Sequence, residues 1–475
     1  MKARIEKGPS LDEICCLDVG KLSLLLLVNL MWAADPASER QLTFSAITKA
    51  LDNNDNFSPD GEFLVYDTRD TVGTGLGNST SIMKVSVTTG RETDVYRPQS
   101  VVGAQAAPGL AAASWSPVSD EVIFIHGPLV QDTARLGFYS VTNRRGAMVR
   151  ANGDGAVRFL DCRDTESPVT PPGAHRGGTH RHEFSADGKR IGFTYDDQLL
   201  PAYGRNIGML VPHRNAPCGA SHYFAVLLPI VPLADAKPGD LVRAADDAWV
   251  GPKGLMRAFI GNEKEENGGT AASLFVVDIP EDVDITTADS GTRTRYPSPP
   301  KGLHIRRLAR KVAPGIVRGS PDGTRVAYYA TDSKGVRQIF LINSHGSDQL
   351  SDPAMRPTQA TALPDGADSG LRWHPSGNSI AVLSENGVAV ICVKSGPLFG
   401  KTTWLTRHGQ DAPPAEALVW SRDGRLLAFN RRVPTTDSGG KLVKDAMGQD
   451  FRQIFLVAFP DENGNGIADP VEKLK

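Results

Sequence analysis

One short text recurs six times in this chain and constrains its fold more than any other feature. FSPDGEFLVYD begins at Phe57, WSPVSDEVIFIHG at Trp115, FSADGKRIGFTYDD at Phe184, GSPDGTRVAYYATD at Gly319, WHPSGNSIAVLSE at Trp373 and WSRDGRLLAFNRR at Trp420. Each reads as the end of one strand, a tight turn and a second strand. Pro presets φ in the turn, and Asp-Gly or Ser-Gly supplies the positive-φ position that an antiparallel hairpin needs. Alternate residues of the second strand are apolar: Phe63 and Val65, Ile123 and Ile125, Val326 and Tyr328, Leu427 and Phe429. A third strand follows at 339–346, at 454–459 and, more loosely, at 81–90. A fourth, outer strand ends in Leu-Ser or Leu-Thr, at 349–351 and 404–406. Four antiparallel strands per unit of about 45 or more residues make a β-propeller blade.

The anchors lie 58, 69, 135, 54 and 47 residues apart. The long interval has room for a degenerate blade, whose second and third strands are read at 255–262 and 273–280. The expectation is an all-β, seven-bladed propeller, with six blades as the alternative. Gln41-Leu42-Thr43 matches the outer-strand text although no blade precedes it, and the last unit lacks an outer strand after 454–459. An N-terminal strand completing the last blade would close the ring and remove two open edges. Residues 38–460 are read as one propeller domain, 1–37 as a leader and 461–475 as a tail.

Composition agrees: 48 Gly and 33 Pro suit a turn-rich β protein. A net charge of −2 gives no footprint for nucleic acid, and five cysteines exclude a disulfide-built scaffold. Cys392 reads as a buried strand residue, while Cys162 and Cys218 could pair in an oxidising compartment. The apolar run 22–32 is too short to span a bilayer and fits the hydrophobic core of a signal peptide. That predicts a periplasmic or secreted monomer with no transmembrane helix in the mature chain. No nucleotide cofactor is expected, because GPLFGKT at 396–402 is one residue short of a phosphate loop and runs into a strand. There is no G-x-S-x-G, H-E-x-x-H or C-x-x-C.

The SPDG turn, its alternating strand and the IFLI-type strand resemble the WD40-like repeats of TolB-type bacterial propellers. FIHGP (124–128), NRRG (143–146), LDCRD (160–164) and TPPGAHRGGTHRHEFSADG (170–188) are similar to an uncharacterised bacterial family related to TolB-type proteins. The resemblance implies a propeller in an envelope or extracellular setting and no established reaction.

Three groups of residues could carry chemistry. His180 and His182 precede the third anchor on an innermost strand, where i, i+2 side chains share a face. Two channel-facing imidazoles are half of a transition-metal site, which His126, Asp161 or Asp164 could complete. The pair also loosely resembles the metal site of oligogalacturonate lyases. The alternative is that both histidines hydrogen-bond within the protein and bind nothing. Arg144, Arg145, Arg163 and Arg176 offer planar forks to an anionic ligand at the channel mouth, or salt bridges to Asp161 and Asp164. Asp246 and Asp247 with Trp249 read as an acid pair beside a stacking surface, or as a structural turn. At the C-terminus DENGNGIADPVE fits a calcium loop. Its ligands would be Asp461, Asn463, Asn465, the Ile467 carbonyl, Asp469 and Glu472, with affinity of about 10⁻⁴ to 10⁻³ M. Two functions follow: a non-catalytic envelope propeller that binds a protein or glycan, or a metal-dependent lyase or hydrolase acting on an anionic oligosaccharide at His180 and His182.

Overall fold

The SPDG text builds the same hairpin wherever it occurs. The computed structural model describes residues 39–52, 55–69, 79–98, 109–153, 156–461 and 463–467. In the first hairpin Ser58 donates its hydroxyl to Asp60 and accepts the Phe63 N–H, while Asp60 accepts the Glu62 N–H. Ser185 with Asp187, Ser320 with Asp322 and Ser421 with Asp423 repeat the arrangement. Gly61, at φ 75°, takes the left-handed position that L side chains avoid. The Ser58 hydrogen bond, helped by the Glu62 N–H, holds the Asp60 carboxyl below its ordinary pKa.

Seven blades form seven sheets, six of them carrying this anchor text. Blade 1 has strands Phe63–Asp67, Ile82–Ser86 and Glu92–Tyr96, and its inner segment pairs only through bridges at Ala50 and Phe57. Blade 2 runs through Ala111–Trp115, Glu121–His126, Arg145–Arg150 and Arg158–Phe159. Blade 3 uses Gly177–Phe184, Ile191–Asp197, Asn206–Pro212 and His222–Val226. The degenerate blade is blade 4, with Leu241–Trp249, Met256–Lys264, Thr270–Asp278 and His304–Arg310. Blade 5 has Arg318–Gly319, Arg325–Thr331, Arg337–Asn343 and Thr358–Gln359. Blade 6 has Arg372–Trp373, Ser379–Ser384, Gly387–Cys392 and Thr402–Trp404. The outer strand of blade 5 is therefore not the Leu-Ser text at 349–351, which lies in a loop. Asp246 and Asp247 sit inside a strand and not in a turn.

Blade 7 combines Ala415–Trp420, Leu426–Val433 and Phe451–Ala458 with the N-terminal Arg40–Gln41. Arg40 pairs with Leu456 and Gln41 with Phe455, and the Leu42 N–H donates to the Ile454 carbonyl at 2.8 Å. Thr43 continues the clasp, donating its hydroxyl to Gln453 and accepting the Ile454 N–H. Beside the strand, Glu39 accepts two hydrogen bonds from the buried Arg431, at 2.8 and 2.9 Å. The ring closes as the orphan outer-strand text predicts.

The core lies between blades. Apolar side chains of blades 1 and 2 form one cluster around Val65, Trp115 and Phe124. Equivalent clusters join blades 4 and 5, 5 and 6, 6 and 7, and 7 and 1, while a larger one spans blades 2, 3 and 4. Cys162 and Cys218 form a disulfide across 56 residues, tying the segment after blade 2 to a blade 3 loop. Cys392 is a free, buried thiol. The apolar run 22–32 lies outside the described residues. Among those described, no helix is long and apolar enough to cross a membrane.

Glu39→Ala leaves the buried Arg431 guanidinium without its carboxylate. Urea unfolding should show a loss of about 3 kcal/mol, as for other broken buried ion pairs. An unchanged midpoint would mean that the clasp adds nothing to closure.

Candidate functional site on the propeller axis

In five blades the innermost segment carries an irregularity three residues before its anchor. Ala112, Arg181, Asp246, Gly370 and Ala417 occupy this position in blades 2, 3, 4, 6 and 7, with φ between 49° and 75°. In four of these blades the strand register shifts at that point. In blade 5 the equivalent residue is the β-branched Ile316, which stays out of the left-handed region. A bulge of this kind re-aims the side chains around it.

The bulge at Arg181 separates the two histidines expected on one face. His180 faces an axial cavity of about 160 Å³ that Asp52, Arg69, Thr194, Arg205, Asp246 and Asp247 help to line. Burial, with Arg144, Arg205 and Arg181 nearby, pushes its pKa well below the ordinary value, so the ring is neutral. His182 turns into the packing between blades 2 and 3. Its Nε2 lies 3.0 Å from the Thr179 hydroxyl, and burial lowers its pKa to about 4. Its ring covers the bare α-carbon of Gly146, where a Cβ would lie 2.8 Å from two ring atoms. The two histidines therefore do not form the half-site inferred from their spacing.

The proposed completing groups lie elsewhere. His126 is buried between blades 1 and 2, with Nδ1 against the Gly127 carbonyl and Nε2 3.1 Å from the Tyr96 hydroxyl. Asp161 accepts from Arg145 at 2.9 Å and lies 3.3 Å from His175. Burial opposes ionisation of Asp161, but Arg145 and His175 outweigh it and hold the carboxyl well below its usual range. Asp164 caps its own loop through Glu166 and Ser167. Among the described residues no three His, Cys, Asp or Glu side chains converge as a metal site.

The four arginines singled out in the sequence hold the structure together. Arg144 reaches Tyr139 and lies 3.8 Å from Asp196. Arg145 binds Asp161 and stacks over Phe159. Arg163 donates to the Gly177 and Thr142 carbonyls. Arg176 donates to Asp197 and to the Arg295 carbonyl. Asp247 is taken by Arg257 at 2.5 Å. In the C-terminal loop Asp461 accepts the Asn465 and Gly466 N–H groups, and Asn465 accepts that of Ile467. Asn378 and Ser379 of blade 6 donate to the Asn465 and Gly466 carbonyls. Asn463 is part of the same described turn, while Asp469 and Glu472 lie outside the described residues.

A second axial cavity, of about 320 Å³, opens among the anchor turns. Phe57, Phe184, Trp249, Trp373 and Trp420 wall it, and Glu183, Arg318, Arg372 and Asp55 charge it. Glu183, Arg318 and Arg372 hold one register position, immediately before the anchors of blades 3, 5 and 6. Arg318 Nε donates to the Leu371 carbonyl and Arg372 Nε to the Leu418 carbonyl, both at 3.2 Å. Each arginine is thus fixed by the next blade. The Trp249 and Trp373 indoles donate to the Glu183 and Arg318 carbonyls, both at 3.0 Å. This cluster was missed from sequence, although two arginines at one repeat position were the available signal.

The sheets and anchor turns together define a seven-bladed β-propeller. Residues 109–223 match the family described as "Protein of unknown function (DUF3748)". The chain is 31% identical over 419 residues to the Escherichia coli (strain K12) "Uncharacterized protein YidR", covering 82% of this chain and 94% of that one. It belongs to that family. Similar solved structures include TolB from Acinetobacter baumannii, at 14% identity, TM-score 0.33, and 61% and 50% of the two chains. The WD40 repeats of RRP9 match at 12% identity, TM-score 0.44, and 89% and 98%. An oligogalacturonate lyase in complex with manganese matches at 13%, TM-score 0.39, and 71% and 76%. These structural likenesses carry no functional argument.

Gly146→Ala forces a methyl group into the His182 ring. The expected cost is about 1–3 kcal/mol, the usual range for overpacking a filled interior. Equal denaturation midpoints for variant and wild type would show that His182 is not packed there.

Proposed function

We propose that this protein is an exported, non-catalytic binding propeller that holds an envelope protein or glycan at its axial face. The observation that supports it most is the 320 Å³ cavity, where groups from most of the blades meet on one axis. Such a site recognises by shape and charge. The two-histidine metal centre required by the lyase reading is not carried forward, since His180 and His182 face different surroundings. The Cys162–Cys218 disulfide supports an oxidising compartment, because such bonds persist outside the cytosol. Calcium at the C-terminal loop belongs to the same reading: Asp461 and Asn465 already fold into a tight turn against blade 6.

Cell fractionation with thiol alkylation tests the setting. Cys162 and Cys218 should resist alkylation in protein recovered from the periplasm or medium and react only after reduction. Cytoplasmic protein with both thiols free would overturn the reading.

A further inference from the structure

The axial cavity at the anchor turns is more specific than a general binding face. Arg318 and Arg372 are nearly buried, occupy equivalent positions on adjacent blades and are each tied through Nε to a carbonyl of the following blade. Both line the same cavity. Their carboxylate neighbours sit at the outer limit of pairing: Glu183 lies 3.4 Å from Arg318 and Asp55 3.4 Å from Arg372. Glu183 is shared, since Arg257 also approaches it at 3.5 Å. Among the described residues three guanidinium groups line this cavity, Arg318, Arg372 and Arg422, against two carboxylates, Asp55 and Glu183.

We propose that this cavity binds the carboxylate of a small ligand between Arg318 and Arg372, and this rests on the binding reading above. Planar guanidinium forks match the two oxygens of a carboxylate, and one surplus positive charge matches a monoanion. Burial lowers the pKa of both cavity arginines, with Arg372 and Arg181 adding to it at Arg318, and Arg181 adding to it at Arg372 against Asp55 and Glu183. Aromatic anchors wall the cavity, and an apolar wall strengthens a charge interaction. A sugar acid and the end of a peptide present the same group, and the probes below separate them.

Glucuronate, glucose, dialanine, dialanine amide and inorganic phosphate are titrated against the full chain by calorimetry. Tryptophan fluorescence is followed in parallel, because Trp249, Trp373 and Trp420 wall the cavity. At least one carboxylate should bind, with its neutral counterpart weaker by about tenfold or more. Binding by glucuronate alone assigns a sugar acid, and binding by dialanine alone assigns a peptide end. Arg372→Gln should weaken the carboxylate by about tenfold in protein that still folds. If that variant does not fold, Arg422→Gln at the exposed rim should weaken it by about twofold. Three results would overturn the site: no carboxylate binding, equal binding of charged and neutral partners, or tighter binding of phosphate than of either carboxylate. Wild-type affinity in the folded variant would do the same. Any of them leaves the export result standing, so the two readings fail separately.

Discussion

The structure depends on one constraint, that a ring of seven twisted sheets must meet its own beginning. An open propeller would present an unpaired edge on its last blade. Here Arg40 and Gln41 fill that edge, and Glu39 ties it to the buried Arg431. Because the apolar core lies between blades, each blade is positioned by its neighbours. Closure therefore reaches the axis. Arg318 is held by the Leu371 carbonyl of blade 6, and Arg372 by the Leu418 carbonyl of blade 7, the blade that the N-terminal strand completes.

The axis gains its character from a local departure from regular strand geometry. A left-handed residue costs an ordinary L side chain about 1 kcal/mol or more, yet the bulge recurs at the same place in blade after blade. This position holds small residues at Ala112, Gly370 and Ala417 and charged ones, Arg181 and Asp246, in blades 3 and 4. The same bulge divides the axis chemically. His180 faces one cavity with Arg69 and Asp52, and Glu183 faces the other with Arg318 and Arg372.

Most of the ring was legible because its signals are local. Ser, Asp and Gly in the anchor turn have fixed hydrogen-bonding tasks, and blade 4 shows itself by its own apolar strands despite lacking the SPDG text. The two-residue outer strand Thr358–Gln359 was not legible, since so short a pairing leaves no alternation to read. The site was less legible still. Strand alternation places His180 and His182 on one face, but a single left-handed residue between them breaks the rule. The arginines in the family-like text are conspicuous in sequence and structural in place. Arg318 and Arg372 are inconspicuous because only the closed ring brings blades 5 and 6 to a shared axis.

Hydrogen exchange read by mass spectrometry tests the central dependence directly, comparing the full chain with one lacking residues 1–43. The account predicts that removal strips protection from Phe451–Ala458 and, more weakly, from the inner segments carrying Leu418 and Arg372. Equal protection in both chains would contradict it, because the last blade would then hold its edge, and the axis its arginines, without the N-terminal strand.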